Sequence, residues 1–298
     1  MHTVTRRLAF RAPLCPDNLY GHLVATGVPG VEEWRDGAYR RTLRLPGGPG
    51  VVALAPPSAG TVPATLHLCD PADADAAERL ARRILDLDAD PVAVDTALRA
   101  DPVLAPLVDA APGRRVPGSP DPEEFAVRAV LGQQVSTAAA RTHAARLVAA
   151  HGTPVPGAGG TLTHLFPDAV ALTAVEPGEL GMPQARKRTL LTLVRALADG
   201  DVPLHGGTTT DVAGARAALG ALPGIGPWTV DSVAMRALGD PDAFLATDLG
   251  VRAAAERLGL PVRDRDLLAR AEAWRPYRAY ATQYLWAALD HAVNVMPG

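Results

Sequence analysis

Apolar and polar residues alternate in short runs at 3–10, 39–45, 51–55 and 64–69, separated by proline and glycine clusters. A period of two with that punctuation predicts strands, and several so close together predict a small antiparallel sheet. From residue 74 the period lengthens to that of a helix, with Leu80, Ile84 and Leu87 at core spacing, and the remainder reads as helical. The stretch 111–120, with Pro112, Gly113, Pro117, Gly118 and Pro120, marks a linker. Asp121-Pro122-Glu123-Glu124 then reads as a capping box with proline in the first turn, so a helix starts there. Another should start near Ser136 and stop at Gly152, leaving Gly132-Gln133-Gln134-Val135 as an interruption between two helices.

The most informative local pattern is Leu222-Pro223-Gly224-Ile225-Gly226-Pro227-Trp228. A helix capped by Asp211 leads into it through Ala213, Ala217 and Ala218, and a second helix, running to Leu238, leaves it with Pro227 at the favoured first position. Two glycines around one apolar plug, Ile225, let the chain turn with its N–H groups exposed, and such a nest at a helix N-terminus suits an anion such as a DNA phosphate. Ala246-Thr247-Asp248 follows about twenty residues on. Asp248 could be only the N-cap of a helix over 249–258. Paired with the hairpin, it could also place one negative charge beside a sugar carbon.

Taken together the chain resembles the helix-hairpin-helix DNA glycosylases, and within them the 3-methyladenine DNA glycosylase II (AlkA) family. Besides the hairpin and Asp248, the resemblance rests on Ala129-Val130-Leu131-Gly132-Gln133-Gln134-Val135-Ser136, on Leu180-Gly181-Met182-Pro183, and on Trp274-Arg275-Pro276-Tyr277-Arg278-Ala279-Tyr280 through Leu285-Trp286. It implies an α+β fold in which a small antiparallel sheet domain precedes an all-α core of two helical subdomains with the active-site cleft between them. The expected units are residues 1–88, sheet plus helix; 89–120, helical connector and linker; 121–239, helices ending in the hairpin; and 240–298, carrying the catalytic aspartate and packing with 89–112.

The resemblance further implies roles for single residues. Asp248 would be catalytic. Trp228 and Trp286 would line the base pocket, although either could be plain core in a chain with only 4 Trp, 5 Tyr and 4 Phe. Leu222, Gly224, Ile225, Gly226 and Thr229 would meet the DNA backbone, and Gln134 would wedge into the duplex while Gln133 bonds locally; both glutamines could instead satisfy only backbone groups. Ser232, Leu249 and His22 stand where some relatives place aromatic residues, so a wider or less aromatic cleft is expected. No cofactor is implied, except that the hairpin carbonyls could hold a monovalent cation bridging to phosphate.

The implied activity is that of a base excision repair enzyme that hydrolyses the glycosidic bond of alkylated purines in damaged double-stranded DNA. Superfamily members that also cut the strand carry a lysine where this chain has Trp228, and Lys187 is its only lysine. A Schiff base needs a deprotonated amine, which arginine cannot supply, so a monofunctional enzyme is expected. Two other readings stay open: a glycosylase for deaminated or oxidised bases, and a non-catalytic helix-hairpin-helix DNA-binding protein. A sugar hydrolase is disfavoured, since no second carboxylate accompanies Asp248 in these segments.

Composition constrains the remainder. At 298 residues the chain can build more than one core. Its opening has no long apolar region and nothing later reaches the ~18 apolar residues of a membrane span, which predicts a cytoplasmic protein; as a DNA repair enzyme it is expected to be nucleoid-associated, and to act as a monomer. Cys15 and Cys69 have no partners at metal or disulfide spacing. The net charge of -3 is awkward for a DNA binder. Local excess matters more: Arg128, Arg141, Arg146, Arg186, Lys187, Arg188, Arg263, Arg265, Arg270, Arg275 and Arg278 make the second half more basic, each a phosphate ligand or merely part of a solvated helix face.

Overall fold

The computed structural model describes residues 1–204 and 211–298. The alternating runs pair into a five-stranded antiparallel sheet: β1 (His2–Ala9), β2 (Glu32–Arg35), β3 (Ala38–Leu45), β4 (Gly48–Leu54) and β5 (Thr61–Leu68), in the order β1-β5-β4-β3-β2. In β5 the alternation is plain, with Val62, Ala64, Leu66 and Leu68 buried beneath half-buried neighbours. β2 lies outside the expected strands because its residues are charged. Its Glu32 is buried by virtue of partners, 2.9 Å from Arg128 and 3.7 Å from Arg41, as buried charge requires.

A helix before the sheet's second strand, α1 (Asp17–Thr26), was also unmarked in the pattern. Gly21 at its centre weakens the helical signal, and packing explains the glycine: a Cβ there would lie 2.5 Å from the Val295 carbonyl oxygen. The inner sheet face, α1 and α2 (Ala74–Ile84) share one core around Tyr20, Tyr39, Leu54, Leu66 and Ile84.

The helices that follow divide between two further cores. α5 (Pro122–Leu131), α6 (Thr137–His151), α7 (Ala169–Leu172), α8 (Gln184–Ala198), α9 (Val212–Gly220) and α10 (Pro227–Val233) meet around Val127, Leu131, Leu193 and Leu219. α3 (Pro91–Arg99) and α4 (Ala105–Ala110) pack instead with α11 (Leu249–Arg257), α12 (Asp264–Ala271) and α13 (Arg278–Ala287) around Leu98, Val108, Val251, Trp274 and Tyr284. Each such fully buried side chain contributes roughly 1.5–3 kcal/mol of transfer free energy. The fold is therefore α+β, as expected, with two amendments.

First, the helical part is interrupted by a two-stranded ladder, β6 (Thr153–Pro154) with β7 (His164–Leu165), which the Thr42 hydroxyl of β3 joins by donating to the His164 carbonyl at 2.9 Å. Second, the helix after the hairpin does not run regularly to Leu238. Beyond Val233 it widens into a π-turn over Ala234–Leu238. The carbonyls of Arg236 and Ala237 accept bonds from outside the helix, from Ser119 N–H at 2.8 Å and from the Arg83 guanidinium, a known cause of local widening.

The Asp121 cap is present, its Oδ1 accepting from Glu123 N–H at 3.0 Å and Glu124 N–H at 3.1 Å. The reciprocal half of the box is not made by Glu124, whose carboxylate is taken by Arg41 and Arg128 at 2.8 and 2.7 Å. That network locks the sheet domain to α5. Among the described residues no helix is long and apolar enough to cross a membrane.

Candidate active site

The hairpin joins α9 to α10 through backbone bonds from Leu222 N–H to Leu219 and from Ile225 N–H to Leu222, both 3.1 Å. Ile225 is buried and Leu222 half-buried, so the plug is seated, while Gly224 and Gly226 are exposed. Gly224 is required on two counts. Its φ is +84°, and a Cβ would fall 2.0 Å from Thr189 Oγ1 on α8. Gly226 caps α10 in extended backbone with nothing within 4 Å of an added Cβ, which leaves open approach to the helix N-terminus.

Thr229, expected to meet DNA, lines the cleft behind the hairpin. It is buried, its hydroxyl accepts from Gln133 Nε2 at 3.0 Å, and its N–H donates to the Gly226 carbonyl at 3.0 Å. Through these bonds Thr229 braces the turn, and its hydroxyl, which lines the cleft, keeps its own O–H donor.

Asp248 caps α11 with Oδ1, which accepts from Val251 N–H at 2.9 Å. The same oxygen accepts from Trp286 Nε1–H at 2.9 Å, and Oδ2 accepts from Trp228 Nε1–H at 2.8 Å. The N-cap reading and the functional reading are thus compatible. A carboxylate has about four lone-pair sites; three are filled by rigid donors, which leaves one on Oδ2. The two tryptophans are half-buried, and Trp228 packs against both helical cores. They border the cleft, and their edges also hold the carboxylate, a role that spacing alone did not reveal.

The cleft between the helical cores has a volume of about 1120 Å³ and is bounded by His22, Phe125, Gln134, Gly226, Trp228, Asp248 and Trp286, among others. Of the positions where aromatic residues were expected to be missing, Leu249 is 79% exposed, Ser232 is buried with its hydroxyl unpaired, and His22 is half-buried. Burial first, then the charges of Arg236, Arg128 and His291, hold the His22 imidazole well below its ordinary pKa. The neutral ring shares Nε2 with the Arg236 guanidinium, which also donates to the Pro117 carbonyl at 2.6 Å and lies over the Phe125 ring. The part of the cleft lined by His22 and Arg236 is therefore polar and cationic as well as less aromatic. Phe125 escaped the sequence reading, which has no signal for which face of α5 meets the cleft.

Gln134 is exposed at the cleft rim with φ +55°. Gln133 is turned inward to the hairpin. Several arginines are explained structurally: Arg128 faces Glu32 and Glu124, Arg141 Nε donates to the Gly27 carbonyl, Arg186 to that of Leu131, Arg270 pairs with Asp101, and Arg275 and Arg278 pair with Asp242 and Glu272. Lys187 Nζ donates to the Pro177 carbonyl at 2.7 Å. Arg146, Arg188, Arg263 and Arg265 remain exposed. Among the described residues no three His, Cys, Asp or Glu side chains gather as a metal site would need.

A glycine hairpin and a braced aspartate lining one cleft, in a helical core behind an antiparallel sheet, define the class of helix-hairpin-helix glycosylase folds. The 3-methyladenine DNA-glycosylase structure from Archaeoglobus fulgidus shares the fold with a TM-score of 0.80 at 22% identity, over 95% of this chain and 97% of that one. The AlkA N-terminal domain model matches residues 5–121. DNA-3-methyladenine glycosylase 2 of Escherichia coli is 34% identical over 275 residues, 90% of this chain and 92% of that protein. The chain belongs to the 3-methyladenine DNA glycosylase II (AlkA) family. It is also 55% identical over 295 residues to the Mycobacterium tuberculosis protein named "Probable bifunctional transcriptional activator/DNA repair enzyme AlkA", spanning 99% of this chain but only 59% of that relative.

Proposed function

We propose that the chain is a monofunctional DNA glycosylase of base excision repair, which flips alkylated purines out of double-stranded DNA and hydrolyses their glycosidic bond to leave an abasic site. The observation that carries this reading is the Asp248 carboxylate, fixed by three N–H donors with one lone pair left at the cleft. A DNA-binding module has no use for it, since a carboxylate facing the backbone repels phosphate.

The hairpin N–H groups take a phosphate and Gln134 fills the space left by the flipped nucleotide. An N3- or N7-alkylated purine is already cationic and departs as a neutral base, so little acid catalysis is needed. As the C1′–N bond stretches, the sugar becomes oxocarbenium-like, and Asp248 stabilises that charge or positions water for attack. The indole faces of Trp228 and Trp286 favour an electron-poor ring. No step requires an amine, because Trp228 occupies the position where strand-cutting relatives carry lysine and Lys187 is engaged at Pro177. Hairpin carbonyls are the candidate seat of a monovalent cation toward phosphate, oxygen being the ligand such a cation takes. The protein is proposed to act as a monomer on chromosomal DNA.

One feature favours a second reading within the class. The His22–Arg236 wall and the unpaired Ser232 hydroxyl suit a neutral base with polar edges, such as a deaminated purine.

The test is base release from duplex oligonucleotides carrying 7-methylguanine, 3-methyladenine or hypoxanthine, with wild type and Asp248→Asn, scored before and after hot alkali. Breaks only after alkali, and only with wild type, are expected. Loss of one preorganised charged group should slow release on the order of 10² to 10³. Near-normal release by Asp248→Asn sinks the catalytic role, breaks without alkali sink the monofunctional assignment, and no release from any lesion leaves a DNA-binding protein.

A further inference from the structure

Two adjacent glutamines behave in opposite ways. Gln134 stands exposed in left-handed backbone, a conformation disfavoured for side chains of its kind, which persists only where the surroundings over-determine it. Gln133 is what fixes it. Its Nε2 donates to the Gly224 carbonyl at 3.2 Å and to Thr229 Oγ1 at 3.0 Å, so one amide group reaches across to both sides of the hairpin.

The loop is anchored at its other points as well. Arg186 donates to the Leu131 carbonyl at 2.6 Å where α5 ends, the Gln133 N–H bonds Val130 at 3.2 Å, and Ser136 caps α6 with its hydroxyl on Ala139 N–H at 3.3 Å. From behind, Thr189 of α8 closes on Gly224 so tightly that no Cβ fits. Hairpin and loop are thereby fixed to each other and to one supporting helix, α8, which carries both Arg186 and Thr189.

We infer that Gln133 is a positioning residue that welds the phosphate grip to the wedge, so that seating a phosphate on the hairpin and driving Gln134 into the duplex are one movement and not two. The inference rests on the reading of Gln134 as the wedge. It assigns Gln133 no contact with DNA: its amide is spent within the protein, and its effect passes entirely through where Gln134 is held.

The test uses Gln133→Met, which keeps length and neutrality but removes the donor, beside Gln133→Ala, Gln134→Ala and the double variant Gln133→Met/Gln134→Ala. Four quantities are read: thermal midpoint, affinity for an undamaged duplex, unstacking, reported by 2-aminopurine fluorescence beside an abasic analogue, and single-turnover base release. Gln133→Met is expected to hold its affinity for undamaged duplex while unstacking and release fall about five- to tenfold, the loss of a neutral hydrogen bond or two. Because both residues act through one insertion, the double variant should release base no more slowly than Gln134→Ala alone.

Wild-type unstacking and release by both Gln133 variants while Gln134→Ala is impaired would overturn the weld and leave the wedge standing. Unimpaired unstacking and release by Gln134→Ala would remove the wedge and the weld with it. Equal loss of thermal stability and release in Gln133→Met and Gln133→Ala, adding fully to that of Gln134→Ala, would make Gln133 an ordinary structural residue and refute the inference.

Discussion

The indole N–H of Trp228 donates to Oδ2 of Asp248 at 2.8 Å, on the side of the carboxylate opposite the bonds from Val251 and Trp286. Two roles for Trp228 can thus be separated by one substitution. Phe keeps an aromatic face against the cleft and deletes the donor. If holding the carboxylate matters, Trp228→Phe should lower kcat for base release about ten- to a hundredfold, the worth of one hydrogen bond to a charged group, with little change in duplex affinity. Single-turnover release and equilibrium binding check this; an unchanged kcat would make stacking the whole contribution of Trp228.

The two hairpin glycines should fail in different ways. Gly224→Ala places a methyl 2.0 Å from Thr189 Oγ1 at a φ of +84°, so it should destabilise the fold by roughly 1–3 kcal/mol. Gly226→Ala meets no protein atom within 4 Å and needs no unusual backbone. It should melt like wild type yet bind duplex at least several-fold more weakly, because the methyl lies where a phosphate would approach. Thermal melts beside binding isotherms separate the two, and wild-type binding by Gly226→Ala would place the phosphate elsewhere.

How far the sequence carried this picture depended on the range of the interactions involved. The β5 alternation, the Asp121 and Ser136 caps and the glycine turn are local devices, each complete within a few residues, and they could be read directly. α1 could not, since Gly21 answers to a carbonyl of Val295, far away in the chain. Likewise Glu32 looks like a surface charge until Arg41 and Arg128 are brought to it. At the site, the resemblance singled out Asp248, Trp228 and Trp286 individually. That the tryptophans grip the aspartate by their edges, that Gln133 donates to Thr229, and that Arg236 reaches His22 are facts of packing between distant segments, with no periodicity to announce them.

The polar wall makes a prediction about lesion choice. Ser232 is buried at the cleft with an unpaired hydroxyl, where an aromatic face would add attraction for a cationic base of about 1 kcal/mol or more. Ser232→Tyr, with a cleft of about 1120 Å³ to accept the ring, should raise the ratio of 3-methyladenine to hypoxanthine release severalfold. Competition between the two lesions in one reaction measures it. A fall in that ratio would mean that position 232 does not face the base.

The junction between the sheet domain and α13 should be sensitive to pH through Asp86. Its Oδ2 accepts from the Tyr280 hydroxyl at 2.9 Å and from Val116 N–H at 3.2 Å. Burial raises the carboxyl from 3.8 to about 6, overcoming these bonds and the pull of Arg115. The folded protein therefore binds this proton more tightly than the unfolded chain does. The stabilising contribution is whole below about pH 4 and is lost as the pH rises through about 6, amounting to at most about 3 kcal/mol by neutrality. Asn matches the shape, tolerates the left-handed backbone at φ +50° and never ionises. Asp86→Asn should thus be close to wild type in stability near pH 4 and progressively more stable than wild type toward pH 7, as urea unfolding at a series of pH values would show. A difference that stays flat across that range would mean that the Asp86 carboxylate is accommodated without cost, and that the junction owes none of its pH response to it.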